Sequence, residues 1–387
     1  MIRVKYIIQE EEKSKVLAGE GDTSGLFPLY TSGQGLSKYL DRAQFAGDAI
    51  IMGTGGIASV NYSRDPFSTS TDCFTFRGNG YHTRFLYFYL TAFVEFINAT
   101  MFYGTGLKHL NKQSLKNMKA PDLDIHKQLT ITSFLDNKTK KIDQLISNIE
   151  QSIDKLERYK TSYAFQLLED FFIYRDEPAR IIGLENQSTL RLDQVCKIVR
   201  GNSTFKKDEL KDKGKYIALQ YGKTYKVDIV DQEFNYYVDE EFYKESQIVN
   251  KGDTILISTS ETMEDLGHSC YYDINDFGLI GGEQILLKPN TSKVESKFLY
   301  YGSIIFTKSL RKEATGLKVY RFNTDDLKNI FLNLPSLAAQ KEIISSLDVL
   351  FLNLKVLIKL KKEKIEKLIE YKKSLIYEAV TGKIEVM

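Results

Sequence analysis

The sequence predicts two α+β domains that alternate with two long helices, with the second half of the chain repeating the first. Three observations support this prediction. Motifs recur in the same order about 210 residues apart, apolar residues follow a 4,3 spacing in two segments, and short β-like runs lie between glycine-rich turns. The 387 residues are enough for two or three domains with their own apolar cores.

The internal repeat consists of five short motifs that return in order. They are residues 47–54 at 252–259, residues 105–108 at 315–318, residues 115–117 at 327–329, residues 121–123 at 335–337, and residues 156–162 at 368–374. The shifts are 205, 210, 212, 214 and 212 residues. Chance matches would not stay collinear, so we infer a duplication.

Each repeat begins with an aromatic-rich α+β domain. The chain has 24 Tyr and 23 Phe residues and no Trp. The β-like runs at 49–52, 254–257 and 284–287 predict strands, and a helix is expected at 84–97 with its repeat partner at 296–310.

Each repeat ends in a long helix. Pro121 and Pro335 precede the two helices, and Gly382 is a natural stop after the second. The available N-caps are Asp122 or Asp124 and Ser336. These signals predict a first domain at residues 1–122, its helix at 123–175, a linker at 176–187, a second domain at 188–335 and a second helix at 336–387.

Both helices carry apolar residues at the 4,3 spacing of a coiled-coil seam. The seam residues are Ile142, Ile146, Ile149, Ile153 and Leu156 in the first helix and Leu354, Ile358, Ile365, Leu368 and Leu375 in the second. The two stripes share one register, since a shift of 212 superimposes them. We expect the helices to pair with each other; the alternative is that each packs on its own domain. Residues 129–169 would form a rod of about 60 Å, which is typical of a spacer.

Composition excludes several classes of protein. No apolar run approaches the ~18 residues of a membrane helix, and the N-terminus has no signal-peptide core, so we expect a cytoplasmic protein without a membrane partner. Cys73, Cys196 and Cys270 are dispersed, which favours small core residues over disulfides or a zinc site. The net charge of +2 does not by itself indicate nucleic-acid binding.

Motifs for catalysis are absent from the sequence. The chain has no Asn-Pro-Pro-Tyr or Asp-Pro-Pro-Tyr motif of the kind that grips a flipped adenine, and Asp-Pro-Phe at 65–67 is better explained as a turn. It also has no Gly-x-x-x-x-Gly-Lys-Ser/Thr loop. Gly-Thr-Gly-Gly at 53–56 loses its glycines in the second repeat, so a turn is favoured over a phosphate cradle. We predict neither a catalytic residue nor a metal site.

Cationic side chains in predicted loops are the candidates for contacts with phosphates or base edges. They are Lys38, Arg42, Arg64, Lys108 and His109 in the first repeat and Lys206, Lys207, Lys223, Lys226, Lys318 and Arg321 in the second. The alternative for any one of them is ordinary surface charge. Lys108 and Lys318 are favoured, because the motif match gives them the same repeat position.

The sequences at the helix starts and ends resemble a known family. They are Ala-Pro-Asp-Leu-Asp-Ile-His-Lys-Gln at 120–128, Leu-Pro-Ser-Leu-Ala-Ala-Gln-Lys-Glu-Ile at 334–343, Lys-Leu-Ile-Glu-Tyr-Lys-Lys-Ser-Leu-Ile at 367–376 and Val-Thr-Gly-Lys-Ile at 380–384. With two variable domains and two similar helices, nearly the whole chain resembles the specificity subunit of type I restriction–modification enzymes.

The resemblance implies a division of labour. Each α+β domain would be a target recognition domain reading one half of a bipartite double-stranded DNA site. The helices would pair as an antiparallel coiled coil with pseudo-twofold symmetry, and would set the spacing. Two methyltransferase subunits and restriction/translocase subunits would be the partners, and S-adenosylmethionine, ATP and Mg would bind to those partners, this chain being no enzyme.

Two departures from the family pattern are expected to matter. His126 stands where the family has the glutamine found at Gln340, and the lead-in at residues 190–196 has little counterpart before Val4, so the first domain would be slightly incomplete. The alternative function is a coiled-coil scaffold that never contacts DNA. An autonomous methyltransferase is a further alternative, which the missing motif disfavours.

Overall fold

The computed structural model describes residues 1–33, 35–36, 38–174, 189–316 and 318–386, and the predicted linker at 176–187 lies outside them. The chain divides into two compact units. Unit 1 is Met1–Ser152 with Leu360–Met387, and unit 2 is Ile153–Lys359. Both long helices cross this division, so each unit contains one α+β domain and a part of each helix.

Unit 1 begins with short strands and ends its domain with short helices. The strands are β1 (Ile2–Arg3), β2 (Ile8–Glu10), β3 (Phe27–Tyr30), β4 (Lys38–Leu40), β5 (Ala49–Gly53), β6 (Val60–Ser63), β7 (Ser68–Thr69), β8 (Cys73–Gly78), β9 (Phe102–Tyr103), β10 (His109–Leu110) and β11 (Lys119–Ala120). The helices are α1 (Thr83–Ala92), α2 (Val94–Met101), α3 (Lys112–Asn117) and the first part of α4 (Ile125–Leu168).

The antiparallel sheet β2-β8-β5-β6 is the centre of unit 1, and α1 packs across it. The strand residues Ile50 and Phe76 and the helix residues Phe85 and Leu86 are fully buried in one cluster, which the hydrophobic effect stabilises. The predicted helix at 84–97 is two helices, because Phe93 leaves the helical conformation at φ −107° and ψ 14°.

Unit 2 contains the larger domain. Its strands are β12 (Phe172–Tyr174), β13 (Leu190–Arg191), β14 (Cys196–Arg200), β15 (Tyr216–Leu219), β16 (Ile229–Val230), β17 (Tyr237–Val238), β18 (Ile248–Val249), β19 (Thr254–Ile257), β20 (Thr259–Ser260), β21 (Ser269–Tyr272), β22 (Gly278–Ile280), β23 (Gln284–Pro289), β24 (Tyr320–Arg321) and β25 (Ile330–Leu332). Its helices are α5 (Leu192–Val195), α6 (Tyr221–Thr224), α7 (Ser296–Leu310) and parts of α4 and α8 (Leu337–Thr381).

The domain of unit 2 contains two larger sheets beside smaller ones. The five-stranded sheet has the order β14-β23-β19-β21-β16, and the four-stranded sheet has the order β17-β15-β22-β18. Helix α7 spans the predicted 296–310 and packs on β19, β21 and β12. Gly302 of α7 lies against the ring of Phe172, where a Cβ atom would be 2.0 Å from Cζ. This close approach requires glycine.

The long helices α4 and α8 run antiparallel. In unit 1 the Lys372 ammonium donates to the Asp143 carboxylate at 2.7 Å and 2.8 Å. In unit 2 the Lys160 ammonium lies 4.9 Å from the ring centroid of Phe351. Residue numbers along α8 therefore decrease in the direction in which residue numbers along α4 increase. The ten seam residues named above are all buried or half-buried.

The helix termini show which of the candidate caps the chain uses. Asp124 Oδ1 accepts from the Lys127 N–H at 2.9 Å, and Ser336 Oγ accepts from the Ala339 N–H at 3.3 Å, whereas α4 begins at Ile125, three residues after Asp122. After α8, Gly382 adopts φ +73°. The caps Asp124 and Ser336 are 212 residues apart, like the seam.

The expected gap at the start of the first domain is wrong. Ile2 pairs with Ala120 of β11 as Leu190 pairs with Leu332 of β25, and β2 then pairs with β8 as β14 pairs with β23. Residues 2–8 are therefore the counterpart of the lead-in at 190–196. The sequences alone do not reveal this equivalence, because the two segments have only one identical residue, Arg3 with Arg191. What they share is the pattern of buried apolar positions.

The three cysteines are buried and free, as predicted. Burial raises the pKa of the Cys73 thiol to about 11 and that of Cys196 to about 12, and it raises the pKa of Cys270 further. The thiols therefore stay protonated at neutral pH and act as small apolar side chains.

Candidate nucleic-acid interface

Hairpin 1, defined as residues 103–109, follows helix α2 in unit 1. Strands β9 and β10 pair antiparallel with Tyr103 opposite His109, so residues 104–108 form the turn. Gly104 opens the turn at φ +150°, where a Cβ atom would lie 2.6 Å from the Leu107 carbonyl oxygen. The turn conformation therefore requires glycine.

A second segment fixes hairpin 1 from its outer side. This segment, residues 54–56, leaves the end of the central strand β5. Gly55 forms an antiparallel bridge with His109, the Gly56 N–H donates to the Lys108 carbonyl at 2.8 Å, and the Leu110 N–H donates to the Thr54 carbonyl at 2.9 Å. The hairpin is thus two strands of a three-stranded ribbon, and its backbone is anchored to the central sheet.

Hairpin 2, defined as residues 315, 316 and 318–321, is built in the same way in unit 2. Thr315 and Arg321 exchange two backbone hydrogen bonds of 3.0 Å. Gly316 opens the turn at φ +124°, where a Cβ atom would lie 1.9 Å from the Val319 carbonyl oxygen. Strand β20 leaves the end of β19 and pairs with the outer side, Ser260 opposite Tyr320. Both domains therefore hold one hairpin beside the end of one central strand.

The pairing registers correct the sequence alignment. Tyr103 opposite His109 corresponds to Thr315 opposite Arg321, a shift of 212 residues, the same as along the helices. Lys108 is consequently equivalent to Tyr320, and Lys318 is equivalent to Gly106. The shared position inferred for Lys108 and Lys318 is wrong, because strand register and turn geometry, not the repeated Thr-Gly-Leu-Lys letters, fix equivalence.

The hairpins expose both cations and large apolar groups. Leu107 is 66% exposed and Tyr103 is 56% exposed, and Ile57 beside them is 62% exposed. Lys108 and His109 are exposed too. On hairpin 2 the exposed residues are Lys318, Val319 and Arg321, and Tyr320 is half-buried. Sequence reasoning found the cations but missed the apolar residues, whose exposure carries no signal in the sequence.

Two other candidates of the first domain lie in or just after strand β4. Lys38, the first residue of β4, is half-buried, and its ammonium donates to the Ala18 carbonyl at 2.5 Å, which ties β4 to the short 3₁₀ helix Ala18–Glu20. Arg42 is 70% exposed, with the Glu20 carboxylate 3.9 Å away. Such an exposed pair contributes little to stability, so Arg42 stays available to an anion.

Four candidates of the second domain lie in two places. Lys206 and Lys207 are exposed at the start of a short 3₁₀ helix. Lys223 and Lys226 lie in and just after α6, with their ammonium groups 4.3 Å from the Tyr236 ring and 5.5 Å from the Tyr225 ring. Cations held over aromatic rings form a surface of the kind that binds single bases or phosphates.

Helix α6 is attached to the start of strand β23. Gln284 Nε2 donates to Thr224 Oγ1 at 2.6 Å, and Gln284 pairs with Ile257, the last residue of β19. Strand β20 of the hairpin 2 ribbon begins two residues after Ile257, so Lys223 and Lys226 lie near the end of the sheet from which that ribbon starts.

Arg64 lies apart from hairpin 1, in a cleft of about 390 Å³ beside α4. Its guanidinium is 3.8 Å from Asp136, which also binds Arg84 at 2.8 Å and 3.0 Å. The Arg84 guanidinium lies over the rings of Tyr62, Tyr87 and Phe88 at 4.5–4.7 Å. The cations of this cleft are paired, which favours attachment of the domain to α4 as their role.

This attachment is duplicated in unit 2. Lys297, at the position of Arg84, binds Asp348, at the position of Asp136, at 2.7 Å. A buried glutamine completes each attachment. Gln128 accepts from the His82 N–H and donates to the Leu123 carbonyl, both at 2.8 Å. Gln340 accepts from the Glu295 N–H at 2.8 Å and donates to the Pro335 carbonyl at 2.9 Å.

The equivalent of Gln340 is thus Gln128, not His126 as the sequence comparison assumed. Pro121 and Pro335 are 214 residues apart, two more than the shift of 212 that the hydrogen bonds of the glutamines give. His126 is exposed, whereas Gln128 and Gln340 are 2% and 0% exposed. The family glutamine is therefore present in both repeats.

Among the residues that the structure describes, no group of three or more His, Cys, Asp or Glu side chains is placed to hold a metal ion. None of the described helices has both the length and the apolar character of a membrane span.

Known proteins share this architecture. A specificity subunit of the MjaVIII type I restriction enzyme of Methanocaldococcus jannaschii is 25% identical over 294 residues, which cover 73% of this chain and 66% of that protein, slightly under two thirds of its length. A solved structure described as the structural basis of complex assembly and conformational transition of the type I R-M system aligns with a TM-score of 0.67 and 15% identity, over 98% of this chain and 96% of that one. The HsdS subunit of Thermoanaerobacter tengcongensis aligns with a TM-score of 0.48 and 15% identity, over 99% and 96%.

The TM-score of 0.67 supports the fold of two α+β domains with two long helices. The family model described as the type I restriction modification DNA specificity domain matches residues 5–155 and again residues 185–368. Each match covers one domain and most of the helix that follows it, which agrees with the duplication seen in the structure. The chain therefore belongs to the family of type I restriction–modification DNA specificity subunits.

Proposed function

We propose that this chain is the non-catalytic DNA-recognition subunit of a type I restriction–modification complex. One observation carries the proposal: a chain of this family contains the same hairpin-bearing domain twice, with different side chains on the two hairpins. Domain 1 reads one half of a bipartite double-stranded DNA site and domain 2 reads the other. The family match favours this function over the scaffold alternative.

The partners would supply the chemistry. Two methyltransferase subunits would bind S-adenosylmethionine, and restriction/translocase subunits would use ATP and Mg, all of them in the cytoplasm. An exposed apolar stripe on α8 supports a protein partner. Val349, Leu352 and Val356 are 61%, 63% and 51% exposed at helical spacing, although apolar side chains on one helix face normally pack against another surface.

A domain exchange tests the function. The chain is co-expressed with its methyltransferase subunits, and the methylated motif is mapped by sequencing the modified DNA. Replacing residues 188–335 with the equivalent domain of a relative should change one half of the motif, and replacing residues 1–122 should change the other. The modular proposal fails if either exchange alters both halves.

A binding measurement separates the proposal from the scaffold alternative. Specific binding of the complex to duplex DNA should weaken linearly on a log–log plot against salt, because phosphate contacts release counterions. A complex that contains this chain and shows no duplex binding at any salt concentration would favour the scaffold.

A further inference from the structure

The two hairpins share one backbone and differ in their side chains. Their registers superimpose at a shift of 212, each turn opens with a glycine at positive φ, and each is paired on its outer side with the segment that leaves the central strand. At the shift of 212, Leu107 is equivalent to Val319, Lys108 to Tyr320 and His109 to Arg321. A constant backbone with variable side chains is suited to reading different sequences.

The exposed side chains match the chemistry of a DNA groove. Neither Lys108 nor Arg321 has an ion-pair partner among the described residues, and both are exposed, so their donors are available to a ligand. Leu107 and Val319 present apolar groups beside these donors, at 66% and 36% exposure. Base edges in the major groove offer the complementary set, with guanine O6 and N7 as acceptors and the thymine methyl as an apolar surface.

The dimensions agree as well. The major groove is about 12 Å wide and admits a two-stranded β-ribbon, whose strands lie about 4.8 Å apart. The turn residues 104–108 lie beyond the last cross-strand pair of hairpin 1 and form its tip. The outer pairing holds the hairpin backbone to the sheet, so that contacts at the tip do not require a flexible loop to become ordered.

We propose that hairpin 1 and hairpin 2 enter the major groove of the two half-sites and read bases there. Lys108 and His109 read the first half-site, and Arg321 with Tyr320 reads the second. Leu107 and Val319 contact thymine methyl groups or neighbouring base edges. The proposal rests on the recognition function above and assigns that function to one hairpin in each domain.

The test uses the full chain assembled with its methyltransferase subunits. The complex methylates a randomised duplex library, and sequencing gives the methylated motif and the selectivity at each base. Arg321→Ala should lower the selectivity at one base of the second half-site by roughly 5- to 150-fold, the value of a bidentate contact with guanine, and leave the first half-site unchanged. Lys108→Ala with His109→Ala should act on the first half-site alone.

Arg3→Ala and Arg191→Ala are the matched controls. These two residues are exposed arginines at equivalent repeat positions in β1 and β13, outside the hairpins. Both variants should keep the wild-type motif. Since a lost phosphate contact weakens all sequences alike, a hairpin variant with lower overall methylation and an unchanged motif would overturn the reading role.

Two further results decide the remaining cases. If the Arg321→Ala complex fails to assemble, Arg321→Lys replaces it, which keeps the charge but loses the two-pronged contact, and it too should loosen one base. If the wild-type complex has a defined motif and every hairpin variant keeps it at full selectivity, the hairpins do not read bases, while the recognition function stands. A wild-type complex that methylates no defined motif overturns the recognition function itself.

Discussion

Replacing Gln128 with alanine should loosen the attachment of the first domain to helix α4. The Gln128 side chain is 2% exposed and makes two hydrogen bonds of 2.8 Å, one from the His82 N–H and one to the Leu123 carbonyl. An unpaired buried backbone group costs roughly 1–3 kcal/mol. His82 and Leu123 are half-buried, so water reaches them in part and the sum falls near the lower end, about 2–3 kcal/mol.

Hydrogen–deuterium exchange measures this loss locally and does not require two-state unfolding of the whole chain. Amides of α1, which follows His82, should exchange roughly 30- to 150-fold faster in Gln128→Ala than in wild type, since each 1.4 kcal/mol is a factor of ten. Gln128→Glu keeps the acceptor for the His82 N–H and loses the donor to Leu123, so we expect an intermediate rate.

The matched control is His126→Ala, two residues earlier on the same helix. His126 is exposed, and its alanine variant should exchange within about twofold of wild type, because surface substitutions usually change stability by under ~0.5 kcal/mol. Equal exchange rates in the His126 and Gln128 variants, or a wild-type rate in Gln128→Ala, would refute the assignment of Gln128 as the counterpart of Gln340.

Three further predictions concern stability and spacing. Burial lowers the pKa of His82; the carboxylates of Asp48 and Asp136 oppose this shift and the Arg84 guanidinium adds to it. The unfolded state therefore binds more protons than the folded state, and the free energy of unfolding should fall as the pH drops below 6.5. Urea titrations at several pH values should show a weaker pH dependence in His82→Gln. Gly302→Ala should lower the free energy of unfolding by roughly 1–3 kcal/mol through the clash with Phe172, seen as a lower urea midpoint, and an unchanged midpoint would contradict that packing. Four seam-compatible residues inserted after position 158 lengthen α4 by about 6 Å, so an active complex should methylate a motif with one to two more spacer base pairs and the same half-sites.

The sequence was most informative where one physical pattern extends over many residues. The seam from Ile142 to Leu156 and from Leu354 to Leu368 follows a 3.5-residue period, and a period summed over several turns tolerates single exceptions such as Lys361. The strand at 254–257 was predicted from a short run of β-branched and apolar residues, all of which are buried, and the helix at 296–310 also forms over the expected residues.

Local matches of letters were less reliable. Thr-Gly-Leu-Lys in both repeats suggested that Lys108 and Lys318 are equivalent. These letters match at a shift of 210 residues, whereas the cross-strand pairs of the two hairpins match at a shift of 212. The two prolines misled the comparison in the same way at the helix starts, where the buried Gln128 and Gln340 are the true counterparts. Hydrogen-bond register decides equivalence in these segments, and it depends on partners that are distant in sequence.

The exposed members of the candidate site could not be predicted at all. Leu107, Tyr103 and Ile57 have the composition of core residues, and an apolar side chain next to a turn is usually buried. The pairing of residues 54–56 with hairpin 1 brings the three side chains to one region, and the folded chain leaves all three exposed there.

Unit 1 consists of two segments that are far apart in the sequence, and this affects how the chain folds during synthesis on the ribosome. Leu375, Ile376, Ala379 and Val380 are buried in the same cluster as Leu135, although they are synthesised after all of unit 2. Unit 2, by contrast, is one continuous stretch that ends at Lys359. The second domain can therefore fold first, and the first domain waits for the C-terminal turns of α8 to cover its apolar surface.

Translation errors should accordingly affect the two halves unequally. A product that stops near residue 359 contains every residue of unit 2 but leaves Ile142 and Leu135 without their apolar cover. Exposed apolar surface of this kind is what chaperones and proteases recognise. An incomplete chain would thus be removed through its N-terminal half, so that a half-finished reader of one sequence does not persist.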